Sequence, residues 1–277
     1  MFSITSGRQA EGDATMSLVE LCQNGDLEGV KAALQNGADV NTNRNRNHHT
    51  GLMEAVSCKH NSVAALLLNT PNIDVNLKNY RGECALQCAV KSGNNEALKL
   101  LLNVPSIDVN NADNDGRGSL HYGVMENNNE GLKLLLSHPN IDVNTVDNFG
   151  SSPVHKAVYY DNIEGLKLLL NVPSIDVNIV NNHGRSPVHL AVICNKIEGL
   201  KLLLKHPGLT ALTLNKKDEM YGYTPVMHAV IFNRLEIMVS LAADPRVDLD
   251  ENNIKDDSLE EYTRWALVAF SLQDDQY

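Results

Sequence analysis

Histidines that recur at a constant spacing are the first candidates for chemistry in this sequence. His121, His155 and His189 stand 34 residues apart, and imidazole is a common zinc ligand. A zinc site would need ring nitrogens that converge on one point about 2 Å away. Equivalent atoms of stacked repeats lie much farther apart than that. We therefore predict no metal site and no cofactor.

Cysteine content and the known catalytic motifs also argue against an enzyme. The sequence has an odd number of cysteines and no C-x-x-C spacing, which favours buried free thiols in a reducing compartment. It contains no G-x-S-x-G, P-loop or H-E-x-x-H motif, and its carboxylates are scattered. We predict that the protein is not an enzyme, with a cryptic hydrolase or metalloenzyme as the alternative of another class.

An internal repeat must position these side chains. Its landmark glycines keep a step of 34 residues, followed by one step of 38: Gly82, Gly116, Gly150, Gly184 and Gly222. A set of prolines in another part of the unit keeps the same steps: Pro71, Pro105, Pro139, Pro173, Pro207 and Pro245. The agreement predicts repeats of 34 residues with one late insertion of four residues. The insertion either belongs to a binding face or is neutral drift.

The residue pattern of each unit predicts two short helices. In residues 150–183, Pro153 begins the first helix, where its missing N–H costs nothing. The helix ends at Asp161 and Asn162, side chains that tolerate a left-handed backbone. Equivalent positions hold glycine or asparagine in every unit except at Lys59. The second helix, 163–170, has apolar residues at helical spacing. A proline ends it, and the I-D-V-N segment is expected to leave it extended.

Three strings recur in register: G-x-S-P-V-H at residues 150–155 and 184–189, then L-L-L, then I-D-V-N. On these strings, residues 17–250 resemble ankyrin repeats, with one extra residue between L-L-L and D-V-N. The resemblance implies an all-α fold, a solenoid of stacked helix-turn-helix units with β-hairpin-like loops. It also implies that the recurring histidines tie neighbouring turns together by hydrogen bonds.

The chain is divided as follows. We expect a disordered N-terminus at 1–15, a repeat array at 16–257, and a C-terminal capping helix with an acidic tail at 258–277. Within the array, an N-terminal cap at 16–47 begins with a capping box at Ser17 and Glu20. Six repeats then occupy 48–257: 48–81, 82–115, 116–149, 150–183, 184–221 and 222–257. In a middle repeat, Leu134 is expected in the core between repeats.

Charge and hydropathy limit the partners. The net charge is −11, and residues 244–277 hold ten acidic and three basic side chains, hence −7 of it. Binding to a phosphate backbone needs clustered Lys and Arg, and no apolar run approaches the roughly 20 residues of a membrane span. No secretory signal is visible at residues 1–15. We predict a cytoplasmic or nuclear monomer that binds neither nucleic acid nor membrane.

The resemblance implies a concave groove, lined by residues that flank each turn glycine and by the pair that ends each first helix. Five such positions in six repeats make 30 of the 277 residues, yet they hold seven of the twelve Phe and Tyr residues. Grouped exposed aromatics indicate a binding surface. We predict these partner-binding residues: Tyr80, Arg81, Arg117, Phe149, Tyr159, Tyr160, His183, Arg185, Ile193, Tyr221, Tyr223, Ile231 and Phe232.

Within this set, aromatic residues are expected to act as anchors and arginines as polar selectors. The anchors are Phe149, Tyr159, Tyr160, Tyr221 and Phe232, and the selectors are Arg81, Arg117 and Arg185. In an alternative arrangement, Tyr160 and Phe232 turn inward and pad the contact with the next repeat.

Four asparagines form a separate candidate set: Asn76, Asn110, Asn144 and Asn178. Each ends an L-x5-[DV]-x-N-like string, which is similar to the pattern that an asparaginyl hydroxylase modifies in ankyrin proteins. Hydroxylation is therefore one hypothesis. The alternative is that these side chains bond the backbone of the hairpin.

Together, the residues and the resemblance predict a non-enzymatic protein–protein interaction module, a scaffold or adaptor that binds a partner protein or peptide in its groove. The alternative is an adaptor or inhibitory subunit of a larger assembly that docks through the C-terminal helix.

Overall fold

The computed structural model describes residues 16–42 and 47–249. These ranges contain fifteen α-helices and no β-strand, so the predicted all-α fold is confirmed. Their bounds are α1 Leu18–Asn24, α2 Leu27–Gln35, α3 Gly51–Ser57, α4 Asn61–Leu68, α5 Ala85–Lys91, α6 Asn95–Leu102, α7 Ser119–Met125, α8 Asn129–Leu136, α9 Pro153–Tyr159, α10 Ile163–Leu170, α11 Pro187–Ile193, α12 Ile197–Lys205, α13 Ala211–Leu214, α14 Pro225–Ile231 and α15 Leu235–Ala242. The predictions for residues 1–15 and 258–277 fall outside the described part of the chain.

The helices form two layers of a stack. The first helices of the units, α1, α3, α5, α7, α9, α11 and α14, each contact the next one along the chain, and so do their partners α2, α4, α6, α8, α10, α12 and α15. The four-residue insertion forms the extra short helix α13, which Thr210 caps by accepting from the backbone N–H of Thr213. Each unit therefore buries its apolar face on its two neighbours.

The junction between the two helices of a unit has one conformation throughout. Asp161 has a φ of 61°, and every equivalent residue is also left-handed, including Lys59 at 64°. For a residue other than Gly, Asn or Asp, the left-handed backbone conformation costs about 1–2 kcal/mol. The tight turn into the second helix therefore overrides local preference at Lys59.

The sequence predicted that the I-D-V-N segments leave the second helix in an extended conformation, but the structure shows a turn. Val177 and Asn178 lie in a turn, in which the Asp176 carboxylate accepts from the backbone N–H of Asn178 at 2.8 Å. The Asn178 amide then donates to the carbonyl of Gly208 at 2.8 Å and accepts from the backbone N–H of Thr210 at 3.1 Å. The extended form is wrong because this bridge to the next repeat requires a bend.

The other three asparagines of this set bridge neighbouring repeats in the same way. Asn76, Asn110 and Asn144 each donate one hydrogen bond to a backbone carbonyl and accept one from a backbone N–H about 30 residues further on. Their amides thus bond the loop of the next repeat instead of their own hairpin. Hydroxylation of these side chains stays a prediction.

The core consists mainly of leucine, valine and alanine side chains contributed by every repeat. In α8, Leu132 and Leu135 are fully buried, whereas Leu134 is partly exposed and packs at the edge of this core. The prediction that Leu134 lies in the core is therefore wrong. Leu132 and Leu135 form the buried face of α8, and Leu134 lies beside that face. Three cysteines, Cys22, Cys84 and Cys88, are buried, but Cys58 is exposed and Cys194 partly so.

The recurring histidines tie the repeats together. The backbone N–H of Ser152 donates to Nδ1 of His155 at 3.1 Å, and Nε2 of the same ring donates to the carbonyl of Arg185, in the next repeat, at 3.0 Å. His121 and His189 make equivalent bonds. The structural role that the resemblance implied is confirmed.

We expect the free energy of unfolding to fall as the pH drops below about 6.5. Burial lowers the pKa of His155 and His189 to about 4 in the folded chain, whereas an unfolded histidine titrates near 6.5. The unfolded chain therefore binds the proton first. The stabilisation is complete above pH ~6.5 and is lost toward pH ~4, by up to about 1.4 kcal/mol per pH unit for each histidine. Urea denaturation at several pH values measures the slope.

Gln87 supplies the control for this prediction. It occupies the histidine position of another repeat and makes the same two kinds of bond, accepting from the backbone N–H of Cys84 at 2.8 Å and donating to the carbonyl of Arg117 at 2.8 Å. His155→Gln should therefore keep most of the stability at pH 8 and reduce the slope below pH 6.5. An unchanged slope would contradict the assignment.

Candidate interaction surface

Hydrogen bonds hold the backbone of the turn tips, which carry eight of the thirteen predicted groove residues. At the tip around Gly150, Oδ1 of Asp147 accepts from the backbone N–H groups of Phe149 at 3.0 Å and Ser151 at 2.8 Å. The same arrangement is built around Asn79, Asp113, Asn181 and Asp218. The side chains on these tips therefore start from fixed positions.

Adjacent tips are bonded to one another. The backbone N–H of Asn182 donates to the carbonyl of Phe149 at 2.9 Å, and the Asn182 amide donates to the carbonyl of Asn148 at 3.0 Å. Gly150 permits this approach: a Cβ there would lie 2.5 Å from the Asn182 amide oxygen. The tips consequently form one continuous row along the stack.

The predicted aromatic anchors point to solvent. The exposed fractions are 55% for Phe149, 54% for Tyr159, 48% for Tyr160, 58% for Tyr221 and 43% for Phe232. The alternative in which Tyr160 and Phe232 turn inward is therefore wrong. Of the remaining predicted residues, Tyr80, Arg81, His183 and Ile231 are exposed, while Arg117, Arg185, Ile193 and Tyr223 are partly buried.

The exposed rings support each other in pairs. Tyr159 and Tyr160 meet edge to face with centroids 5.2 Å apart, and Tyr221 and Tyr223 stack at 5.9 Å. Phe232 stacks at 5.7 Å on His228, a buried side chain that sequence reasoning did not single out. Such contacts hold the rings in place before any partner arrives.

A buried carboxylate lies beneath the last pair of rings. Asp218 accepts from Nε of Arg185 at 2.9 Å, from Nε2 of His228 at 3.0 Å and from the backbone N–H of Tyr221 at 2.9 Å. Burial alone would raise the pKa of Asp218, but these donors together hold it well below its usual range. The carboxylate is ionised and neutralises Arg185.

A similar pair lies beneath Phe149. Nζ of Lys156 is 2.6 Å from the buried carboxylate of Asp147, and it also lies 6.0 Å from the centre of the Phe149 ring. Arg185 stands in the same relation to Tyr221, with Cζ 5.6 Å from the centre of that ring. Lys156 and Arg185 are therefore each paired with a buried carboxylate beside a predicted anchor ring.

The other half of the groove is polar. Two open cavities of about 380 and 530 Å³ share the residues Tyr80, Arg81, Glu83 and Lys91. Lys91 pairs with Glu83, and Arg117 pairs with Asp115 at 3.1 Å. Arg81 donates through Nε to the hydroxyl of Tyr80 at 2.7 Å. Arg117 and Arg185 are thus engaged within the protein, and of the three predicted selectors only Arg81 forms no ion pair within the described ranges.

Tyr122 is a further residue of this half that the sequence did not indicate. Its hydroxyl donates to Asp113 Oδ2 and lies 3.2 Å from Glu83 Oε1. Burial and the Asp113 carboxylate raise the pKa of this phenol, so it stays neutral. No local pattern could have found it, because Glu83 lies 39 residues away in sequence.

The part of the chain that the structure describes offers neither a metal site nor a membrane-spanning helix. In residues 16–42 and 47–249, no group of three or more His, Cys, Asp or Glu side chains could hold a metal ion. Within the same ranges, every helix is too short or too polar to cross a membrane.

Comparisons with known proteins agree with this architecture. The family model "Ankyrin repeats (3 copies)" matches residues 18–113, 69–147, 120–218 and 155–256. A similar solved structure is the crystal structure of the ankyrin repeat domain of Bcl-3, described as a unique member of the IkappaB protein family. It has 25% sequence identity and a TM-score of 0.72, and the match covers 83% of this chain and 99% of that one. Comparison with curated proteins gives no match.

Proposed function

Because the chain belongs to the ankyrin repeat family, we propose that it is a non-enzymatic module that binds a partner protein in its concave groove. Ankyrin repeats are in general protein–protein interaction modules. The finer proposal is that the partner docks on the aromatic half of the groove, with Phe149, Tyr159, Tyr160, Tyr221 and Phe232 as anchors. In this role the protein acts as a scaffold or adaptor.

One observation carries the proposal: five large rings are about half exposed on a backbone that hydrogen bonds hold fixed. A monomeric protein rarely leaves such a group of aromatic side chains uncovered without a function. A whole aromatic side chain buries roughly 150–250 Å², so five rings that are half exposed can bury about 400–600 Å² more, at least half of the ~800 Å² that one side of a standard interface buries. Because the tips are preorganised, little conformational entropy is lost on binding.

Charge pairing beneath the aromatic anchors also supports binding at the aromatic half of the groove. Lys156 and Arg185 are neutralised by Asp147 and Asp218, so a partner covering the rings does not bury an unpaired charge. The free thiols, with Cys58 exposed, fit the reducing cytoplasm or nucleus. We place the interaction there.

The double variant Tyr159→Ala with Tyr221→Ala is expected to weaken binding of the partner by more than about 2 kcal/mol, roughly 30-fold in Kd, because both rings are central anchors. The partner would be purified from the native source on the wild-type chain, and its Kd would then be measured by calorimetry. The melting curve should stay intact, since both side chains are exposed.

A matched control removes apolar surface outside the groove. Leu235 and Val239 are 65% and 43% exposed on α15, so Leu235→Ala with Val239→Ala removes exposed apolar atoms from the layer of second helices. This control should bind the partner like wild type. If the tyrosine variant also binds normally, the site lies elsewhere.

A further inference from the structure

The class of partner can be inferred from one line of side chains in the groove, which we call the apolar row: Met125, Tyr159, Ile193 and Ile231. They occupy the same position in four successive repeats, at the ends of α7, α9, α11 and α14. Tyr159 and Ile231 are exposed, and Met125 and Ile193 are partly exposed. Resting on the proposed function, we propose that the groove receives an amphipathic α-helix of the partner protein that crosses the repeats along this row.

The spacing of the row favours a helix. The four helices that carry it pack one against the next, and packed helices lie about 8–10 Å apart. Residues seven apart on a helix are about 10.5 Å apart on nearly the same face. In an extended strand, side chains on one face repeat every ~6.6 Å, which does not match the step. A helix with one apolar layer per heptad matches it.

The width of the surface favours the same occupant. Tyr160 and Phe232 lie beside Tyr159 and Ile231 in the chain and are exposed with them. The repeats of Tyr159 and Ile231 therefore each offer two adjacent apolar side chains. A helix with apolar residues at two positions of each heptad presents a stripe of that width.

Charge complementarity sets the order of side chains on the partner helix. Among the charged groove positions of the described ranges, Lys91, Arg117 and Arg185 are paired with carboxylates, and Arg81 and Glu126 are without an ion pair. Glu126 is exposed and follows Met125, at the polar end of the apolar row. Arg81 is exposed on the turn tip that precedes α5, the helix that packs against α7.

From these positions, the partner helix should carry three apolar heptads opposite Ile231, Ile193 and Tyr159. A basic residue should follow opposite Glu126, beside Met125, and then an acidic residue opposite Arg81. A helix with the two charges exchanged would place like charges together in a partly desolvated groove, which is costly. Four repeat steps at one heptad each give a helix of about 28 residues.

The test uses synthetic fluorescein-labelled peptides of about 30 residues on the full-length chain, measured by fluorescence anisotropy. One peptide carries leucines in three heptads followed by lysine and then glutamate, and a second has the same order in the reverse chain direction. In a third and fourth, lysine and glutamate are exchanged, so the net charge is unchanged. We expect one direction to bind at least about tenfold more tightly than its exchanged version.

Matched protein variants assign the preference to the two side chains. Arg81→Glu with Glu126→Arg should reverse the preference between the peptides. Glu130→Arg is the control, because Glu130 is exposed on the outer helix α8 of the same repeat, and it should leave the preference as in wild type. Equal binding of a peptide and its exchanged version would overturn the charge order.

The helical conformation is tested by a proline in the middle of the tighter peptide, which should abolish binding. Retained affinity would show an extended partner, and no binding of any peptide at about 100 μM would overturn the inference altogether. These outcomes differ from failure of the proposed function. If Tyr159→Ala with Tyr221→Ala weakens the native partner but the peptides fail, groove binding stands and the helical partner does not.

Discussion

Replacing Leu132 by alanine is expected to lower the free energy of unfolding by about 2–5 kcal/mol. Leu132 is fully buried in α8, a helix of the middle of the array. It packs closely on α7: a Cβ at Gly123 would lie 2.6 Å from its side chain. The surrounding helices are held by neighbours on both sides, so the cavity cannot collapse completely.

The same variant should also separate the two halves of the array. In a repeat protein, stability is approximately a sum of repeat terms and interfaces between nearest neighbours. Loss of several kcal/mol in one middle repeat therefore uncouples the units before it from those after it. Urea denaturation followed by circular dichroism should show two transitions or one broadened transition instead of a single sharp one.

Leu134→Ala is the matched control, since Leu134 lies on the same helix but is only partly buried. The lost transfer free energy and the residual cavity are both smaller there, so it should cost clearly less than Leu132→Ala and keep a single transition. Equal losses for the two variants would show that depth in this core does not determine stability.

Asp218→Ala is expected to cost about 3–5 kcal/mol, because it breaks a buried ion pair and leaves the other partner uncompensated. Both side chains that bond this carboxylate are poorly accessible: Arg185 is 14% and His228 1% exposed. The backbone N–H groups of Tyr221 and Tyr223 would lose their acceptor as well. The turn tip that carries Tyr221 should then lose its fixed backbone conformation, and partner binding should weaken.

Urea denaturation near pH 7 measures this cost, with Asp115→Ala as the control. Asp115 is 58% exposed and forms a surface pair with Arg117 at 3.1 Å, an interaction worth about 0–1 kcal/mol. Similar losses for both variants would contradict the role given to Asp218. The pH dependence has a definite sign: the folded pKa of Asp218 is lowered, so its stabilisation is present above pH ~3.9 and declines below it.

The period, the helix pairs and the left-handed junctions were readable from the sequence because each depends on neighbours a few residues apart. Pro153 starts a helix and Asp161 ends it through local backbone chemistry, and repetition made the signal unambiguous. The same reasoning erred at I-D-V-N, where a bridge from Asn178 to the next repeat bends the chain.

The groove was predictable in outline only. The resemblance to ankyrin repeats assigned the groove positions, and aromatic residues are enriched there. Two orientations stayed open for Tyr160 and Phe232, and the structure shows both exposed. Arg185 was expected to face a partner, yet its side chain bonds Asp218, 33 residues away on the next repeat. No window of sequence contains both ends of that pair.

The sequence by itself determined that short helical units repeat and where each begins and ends, because these follow from local backbone preferences and a constant period. The resemblance to ankyrin repeats, and not the period, assigned residues to the groove. Tertiary structure alone decided which charges are neutralised, which rings face solvent and which leucine of α8 is buried. The physical reason is that these properties depend on contacts between successive repeats, whose partners are about 30 to 40 residues apart in the chain.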